Sequence, residues 1–156
     1  MVAIRQPSHV VSLISPAADL DLDLASGQSE HLFLRFNDIN HLQDGLIAPD
    51  EIHIRAYLDF LDSWEGSRPL LIHCWAGVSR SPAAAYIAAI ARNGASCERD
   101  IAMNLRAKAP YATPNRRMIE IADGLLQRQG AMIAAIDAIG RGSDTAWGSS
   151  FSLSDR

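Results

Sequence analysis

Lysine is almost missing from this chain. Lys108 is the sole example, and every other basic side chain apart from histidine is arginine. Together with abundant alanine, this bias reads as the imprint of a GC-rich bacterial coding sequence, so the arginines as a class carry little functional weight. The formal charge of −4 over 156 residues gives no bulk attraction to nucleic acid or an anionic membrane, and neither is expected as a partner. No apolar run reaches the roughly 18 residues that a membrane-spanning helix needs, and Met1 to Pro7 lacks the apolar core of a signal peptide. Two cysteines, Cys74 and Cys97, do not make a disulfide framework. A reducing compartment is expected, with the cytoplasm as the default location. His9, His31, His41 and His53 are scattered without metal-ligand spacing, so no metal or other cofactor is expected.

What remains is ordinary for a globular chain of this length, and its pattern predicts one domain over 1–141 with a mobile tail over 142–156. His9 to Ile14, His31 to Phe36 and Pro69 to Ile72 are short apolar, β-branched or aromatic runs that predict strands. Asp19 to Leu24 alternates strictly, yet its three acids suit a loop or short helix as well as an edge strand. Pro49-Asp50-Glu51 opens a helix that runs to about Gly66. Further helices are predicted at about 80–93, 98–108, 115–128 and 131–140. The Ser-rich stretch after 142 has no periodicity, although Trp147 or Phe151 offers a side chain that could dock on the body. The order of elements predicts an α/β domain with a small, largely parallel central sheet and helices on both faces.

One run carries chemistry. Leu71-Ile72-His73-Cys74-Trp75-Ala76-Gly77-Val78-Ser79-Arg80-Ser81 joins a predicted strand to a predicted helix. A loop there turns its backbone N–H groups toward one point beside a helix N-terminus, which favours an anion. Gly77 permits a tight curl, and the planar fork of Arg80 matches two phosphate oxygens. A thiol at Cys74 in that field ionises more readily than a free cysteine, and the thiolate is the nucleophile. Trp75, Ala76, Gly77, Val78, Ser79 and Arg80 would bind the phosphate. The pattern His-Cys-x-x-Gly-x-x-Arg-Ser fixes enough positions that chance gives it in fewer than roughly one in ten thousand chains this long. The competing structural reading is a small buried cysteine beside a helix-capping arginine.

Residues 73–81 resemble the signature loop of the protein tyrosine phosphatase superfamily, in the form used by small dual-specificity phosphatases. The resemblance extends over residues 9–128 and includes the later segment Leu105 to Asn115, with its Arg106 and Pro114-Asn115. It implies a tyrosine phosphatase-like fold with Cys74 as nucleophile, Arg80 as phosphate clamp and Ser81 as the hydroxyl that assists thiolate release. It further implies His73 as a tuning residue behind the cysteine, Asn115 as a supporting residue, and a carboxylic acid on a loop upstream of Cys74. Asp38, Asp44 and Asp50 all stand in that interval. Asp38 follows the strand to Phe36, where the family places its acid. Asp44 precedes Gly45 and suits a turn, while Asp50 suits the first turn of a helix.

The expected function is hydrolysis of a phosphomonoester through a phosphocysteine, most readily protein phosphotyrosine or, with dual specificity, other phosphorylated residues. The alternatives are a phosphoinositide or other small-molecule phosphatase, a non-catalytic phosphate-binding module, and a sulfur-transfer or arsenate-reducing enzyme. The uncharged Trp75, Ala76, Val78 and Ser79 weigh against a multiply phosphorylated substrate. Cys97, read as a helix-start cysteine rather than a partner for Cys74, gives little for electron relay. The oligomeric state and the physiological substrate are not encoded in any motif.

Overall fold

The strand His9–Ile14 (β1) is buried along its whole length, which is what a central strand between two parallel neighbours requires. In the computed structural model, which describes residues 6–19, 28–94 and 97–153, β1 pairs on one side with Glu30–Arg35 (β2) and on the other with Leu70–His73 (β3). Both pairings are parallel, and the sheet order is β2-β1-β3. The register sets Ser12 level with Phe33 and His73, so these side chains share one face. Val11, Leu13 and Leu34 share the other and enter the core.

Five helices complete the described chain: Glu51–Asp62 (α1), Arg80–Asn93 (α2), Glu98–Lys108 (α3), Arg116–Leu125 (α4) and Ala131–Ile139 (α5). Their buried residues join Val11, Leu13 and Leu34 in one cluster. The expected α/β domain with a small parallel sheet and packed helices is met, with three parallel strands and five helices among the described residues. Most of the ambiguous segment from Asp19 to Leu24 lies outside them.

Local chemistry explains the boundaries. Asp50 is the N-cap of α1 rather than a first-turn residue, accepting from Glu51 N at 2.8 Å, while the His53 ring takes up the Asp50 N–H at 3.0 Å. Ile54, Tyr57 and Leu61 form the buried stripe of α1. The Tyr57 hydroxyl donates to Ala84 O at 2.7 Å and ties α1 to α2. Helix α2 is alanine-rich on its buried side (Ala83, Ala84, Ala88, Ala89), which lets neighbouring elements approach it closely. Arg106 donates to Pro110 O and Ala112 O, both at 2.9 Å, and to Gly140 O at 2.6 Å. It thereby fixes the turn between α3 and α4 against the end of α5. That turn carries Thr113 and Asn115 to the loop after β3. The segment expected as a mobile tail has no helix or strand over 142–153, yet it runs against the body. Ser143 N donates to Pro110 O at 2.9 Å, Gly142 N to Thr113 Oγ1 at 3.0 Å, and Lys108 Nζ to Ser152 O at 2.7 Å.

Candidate active site

Cys74 directly follows β3, and Arg80 opens α2, so the intervening residues must reverse direction within a few steps. Gly77 makes this possible with φ +72°, where a side chain would strain the backbone. The Gly77 N–H donates to Cys74 Sγ at 3.3 Å, and the thiol and the Ser81 hydroxyl are hydrogen-bonded at 3.1 Å. A neutral thiol donates in that pair, whereas a thiolate would accept from Ser81. Cys74 is therefore held by the two groups best suited to stabilise its anion.

Three loop carbonyls are captured from outside. Ala76 O accepts from Gly148 N at 2.8 Å, Val78 O from Thr113 N at 2.9 Å, and Ser79 O from Asn115 N at 3.1 Å. In a trans peptide the C=O and the following N–H point in opposite directions. Anchoring these carbonyls outward turns the N–H groups of Gly77, Ser79 and Arg80 the other way.

Arg80 is 5% exposed. Its Nη1 donates to Phe36 O at 2.8 Å, which anchors the guanidinium to the end of β2. Its Nε is buried and has no hydrogen-bond partner among the described residues. A buried unpaired donor of this kind costs about 1–3 kcal/mol, and an anion in the loop is the group that would satisfy it. Among the described residues, no three His, Cys, Asp or Glu side chains gather in a way that would hold a metal ion.

Of the three upstream acids, only Asp38 reaches the loop. Its Oδ1 accepts from Ser79 Oγ at 2.7 Å and from Asn115 Nδ2 at 2.9 Å. Asn115 also caps α4 by accepting from Met118 N at 3.0 Å, so one amide sets both the helix and the carboxylate. Asp44 is exposed beside Gly45, whose φ of +78° makes this a turn, and Asp50 is committed to its cap. Trp75 is 70% exposed and faces Trp147 with ring centroids 6.0 Å apart. It forms a wall rather than packing beneath the loop. Both cysteines are free. Cys97 is the N-cap residue of α3, beyond the far end of the 14-residue α2. At 1.5 Å per residue that is roughly 20 Å from Cys74, too far for a disulfide.

No protein-family model and no curated protein matches the chain. Among solved structures, the crystal structure of DUSP15, a dual-specificity phosphatase, aligns with a TM-score of 0.55 at 18% identity, covering 87% of this chain and 81% of that one. The chain has a protein tyrosine phosphatase fold. The strand-loop-helix unit that supports Cys74 in this phosphatase fold was legible from sequence, but two of its supports were not.

The first is a relay behind the loop. His73 Nε2 and Ser12 Oγ are 2.5 Å apart, and Ser12 Oγ lies 2.8 Å from His31 Nε2. One hydroxyl proton cannot serve both rings, so one histidine accepts from Ser12 and the other donates to it. Burial lowers the pKa of His73; burial, and then the neighbouring His73, lower that of His31. Burial does the same to His53, against an opposing effect of Asp50. A depressed folded value means that the unfolded chain binds protons more readily. The stability these rings contribute is therefore complete above 6.5, their ordinary value, and is lost as the pH falls below it. Thermal melts should show Tm declining on acidification through that region, and His31→Gln should make the decline shallower. A Tm unchanged through that region would contradict the assignment.

The second support is the segment 147–153. It lines a cleft of about 420 Å³ together with β3, one side of α2 and loop residues Cys74 to Gly77. The sequence offers Trp147 or Phe151 as docking side chains, and both line this cleft; no periodicity signals that the segment reaches the loop.

Proposed function

We propose that this protein is a cysteine-dependent phosphomonoester hydrolase acting on phosphorylated protein, phosphotyrosine foremost, with dual specificity as the wider form of the same activity. The observation that carries the proposal is the convergence on one loop of a hydrogen-bonded thiol, a buried arginine with an unsatisfied Nε, and an upstream carboxylate. Phosphotyrosine suits a nucleophile seated at the base of a loop, because its length carries the phosphorus down to the sulfur. The loop side chains Trp75, Ala76, Val78 and Ser79 bring no charge for additional phosphates.

The chemistry then follows in two steps. The Cys74 thiolate, with the Gly77 amide on its sulfur, attacks phosphorus while the phosphate oxygens take the Ser79 and Arg80 amides and the Arg80 guanidinium. Asp38 gives its proton to the departing phenolic oxygen, leaving a phosphocysteine. The Asp38 carboxylate next removes a proton from water, whose oxygen attacks phosphorus. Phosphate leaves, and Ser81 donates to the released thiolate. Asn115 and Ser79 position Asp38 for both roles. His73 supports the cysteine from behind, held in its tautomer by Ser12.

General acid catalysis is worth about 10²–10⁴ in rate. Asp38→Asn should lower kcat by that order on an alkyl or simple phenyl phosphate, and by much less on a well-stabilised leaving group such as a nitrophenolate. Asp44→Asn and Asp50→Asn should show no such dependence on the leaving group. A loss confined to Asp44→Asn would move the acid role there. A panel of phosphotyrosine, phosphoserine and phosphothreonine peptides, phosphoinositides and nucleotides, assayed without added metal, tests the substrate class. Turnover restricted to phosphoinositides would replace the protein substrate, and binding without turnover would leave a phosphate-binding module.

A further inference from the structure

The Ala76–Gly77 peptide is held at both ends by groups far apart in sequence. Its carbonyl accepts from Gly148 N at 2.8 Å, and its N–H donates to Cys74 Sγ at 3.3 Å. The two bonds run in line through one planar amide, so rotation of that plane breaks both. The other anchored carbonyls of the loop, Val78 O and Ser79 O, are held by Thr113 and Asn115 from the turn before α4. Ala76 O alone depends on the segment after α5.

That segment is shaped for the task. Gly148 admits no side chain, because a Cβ there would lie 2.5 Å from the Tyr111 ring and 2.8 Å from Gly77 O. Gly142 is equally closed, with Tyr111 O 2.5 Å and Ala112 O 2.6 Å from a Cβ position. The Tyr111 hydroxyl donates to Ser149 O one residue beyond. Trp147 faces Trp75 from the residue before. Residues 147–153 (Trp-Gly-Ser-Ser-Phe-Ser-Leu) carry no ionisable side chain. The charged and titratable groups bordering the loop, the cleft and the segment include His73 on β3, Arg80 and Arg92 on α2, Asp38 after β2 and Tyr111 before α4. The segment acts through orientation and not through charge.

We propose that Gly148 is a positioning residue for the phosphatase chemistry: its N–H locks the Ala76–Gly77 peptide with the Gly77 N–H on the Cys74 sulfur. The C-terminal segment is on this account part of the active site, a strap that holds the thiolate-stabilising amide in place. The inference rests on the thiolate reading given above, and its test does not depend on turnover.

The measurement is the rate of iodoacetamide alkylation of Cys74 in the full chain at fixed neutral pH, followed by mass spectrometry, with Cys97 as internal reference. Wild-type Cys74 should react faster than Cys97. In Gly148→Ala the added Cβ displaces the strap, the amide turns, and Cys74 should react about tenfold more slowly, the worth of one hydrogen bond to a charged group. Tyr111→Phe, which removes the Ser149 tether without adding bulk, should shift the rate the same way by a smaller factor. Loss of a cover alone would instead speed alkylation, because the reagent would gain access. An unchanged or faster Cys74 rate in both Gly148→Ala and Tyr111→Phe overturns the proposal, as does an equal slowing of Cys74 and Cys97. Should wild-type Cys74 react no faster than Cys97, the thiolate reading itself fails, and that result is distinct from the variants matching a fast wild type.

Discussion

Cys74→Ser is expected to lose hydrolysis by about 10⁴-fold or more in kcat while keeping its affinity for phosphate analogues. The smaller hydroxyl fits the place of the thiol, whose sulfur has Ser81 Oγ at 3.1 Å and Gly77 N at 3.3 Å as neighbours. The fold should therefore be undisturbed and the melting temperature close to wild type. What disappears is the sulfur nucleophile, since a serine hydroxyl stays protonated near neutral pH. Rapid quench should trap a phosphocysteine on wild type and nothing on the variant. Vanadate titration should give similar dissociation constants for the two. Hydrolysis near the wild-type rate in Cys74→Ser would end the covalent mechanism.

Arg80→Lys is expected to be nearly as severe, with kcat/KM falling by about 10²-fold or more although the charge is kept. The guanidinium does two things at once. Nη1 satisfies Phe36 O at 2.8 Å, and Nε is buried with no partner among the described residues. A lysine ammonium is a point donor on a flexible stem. It cannot hold the carbonyl and present a planar edge to two phosphate oxygens together. Where the ammonium does not reach Phe36 O, that carbonyl loses its donor, and the unliganded variant should be less stable by about 1–3 kcal/mol. Adding vanadate should then raise the Tm of wild type far more than that of the variant. An Arg80→Lys protein with wild-type turnover would show that the buried fork is structural only.

The positions of the helices and strands were largely legible before any tertiary information. The predicted strands at 9–14, 31–36 and 69–72 correspond to His9–Ile14, Glu30–Arg35 and Leu70–His73. The helices at 80–93 and 98–108 match α2 and α3 end for end. Apolar runs of strand length and apolar stripes of helical period are local signals, and such contacts are dictated within a few residues. The ends of α1 and α4 were read too long. Ser63 already caps α1 through Phe60 O and Leu61 O. The chain leaves α4 at Leu126, ahead of Gln127 with φ +55°. Neither residue type advertises a stop, because the closing bond is made by backbone atoms that every residue has.

The sequence by itself determined the residues of the loop and its place between a strand and a helix. His73, Cys74, Gly77, Arg80 and Ser81 are near neighbours, and a strand followed by a helix leaves such a run little choice but to curl around a point. Only the tertiary structure decided what surrounds it. Asp38 meets Ser79 across 41 positions and Asn115 across 77. Ser12 meets His73 across 61, and Gly148 closes on Ala76 from the other end of the chain. These separations are set by sheet order, by the register of β1 and by the turn that Arg106 pins. No local periodicity records them. Position in the sequence favours Asp38 over Asp44, and contact with the loop is made by Asp38, because a carboxylate is the same group on either loop until packing brings one within hydrogen-bond distance.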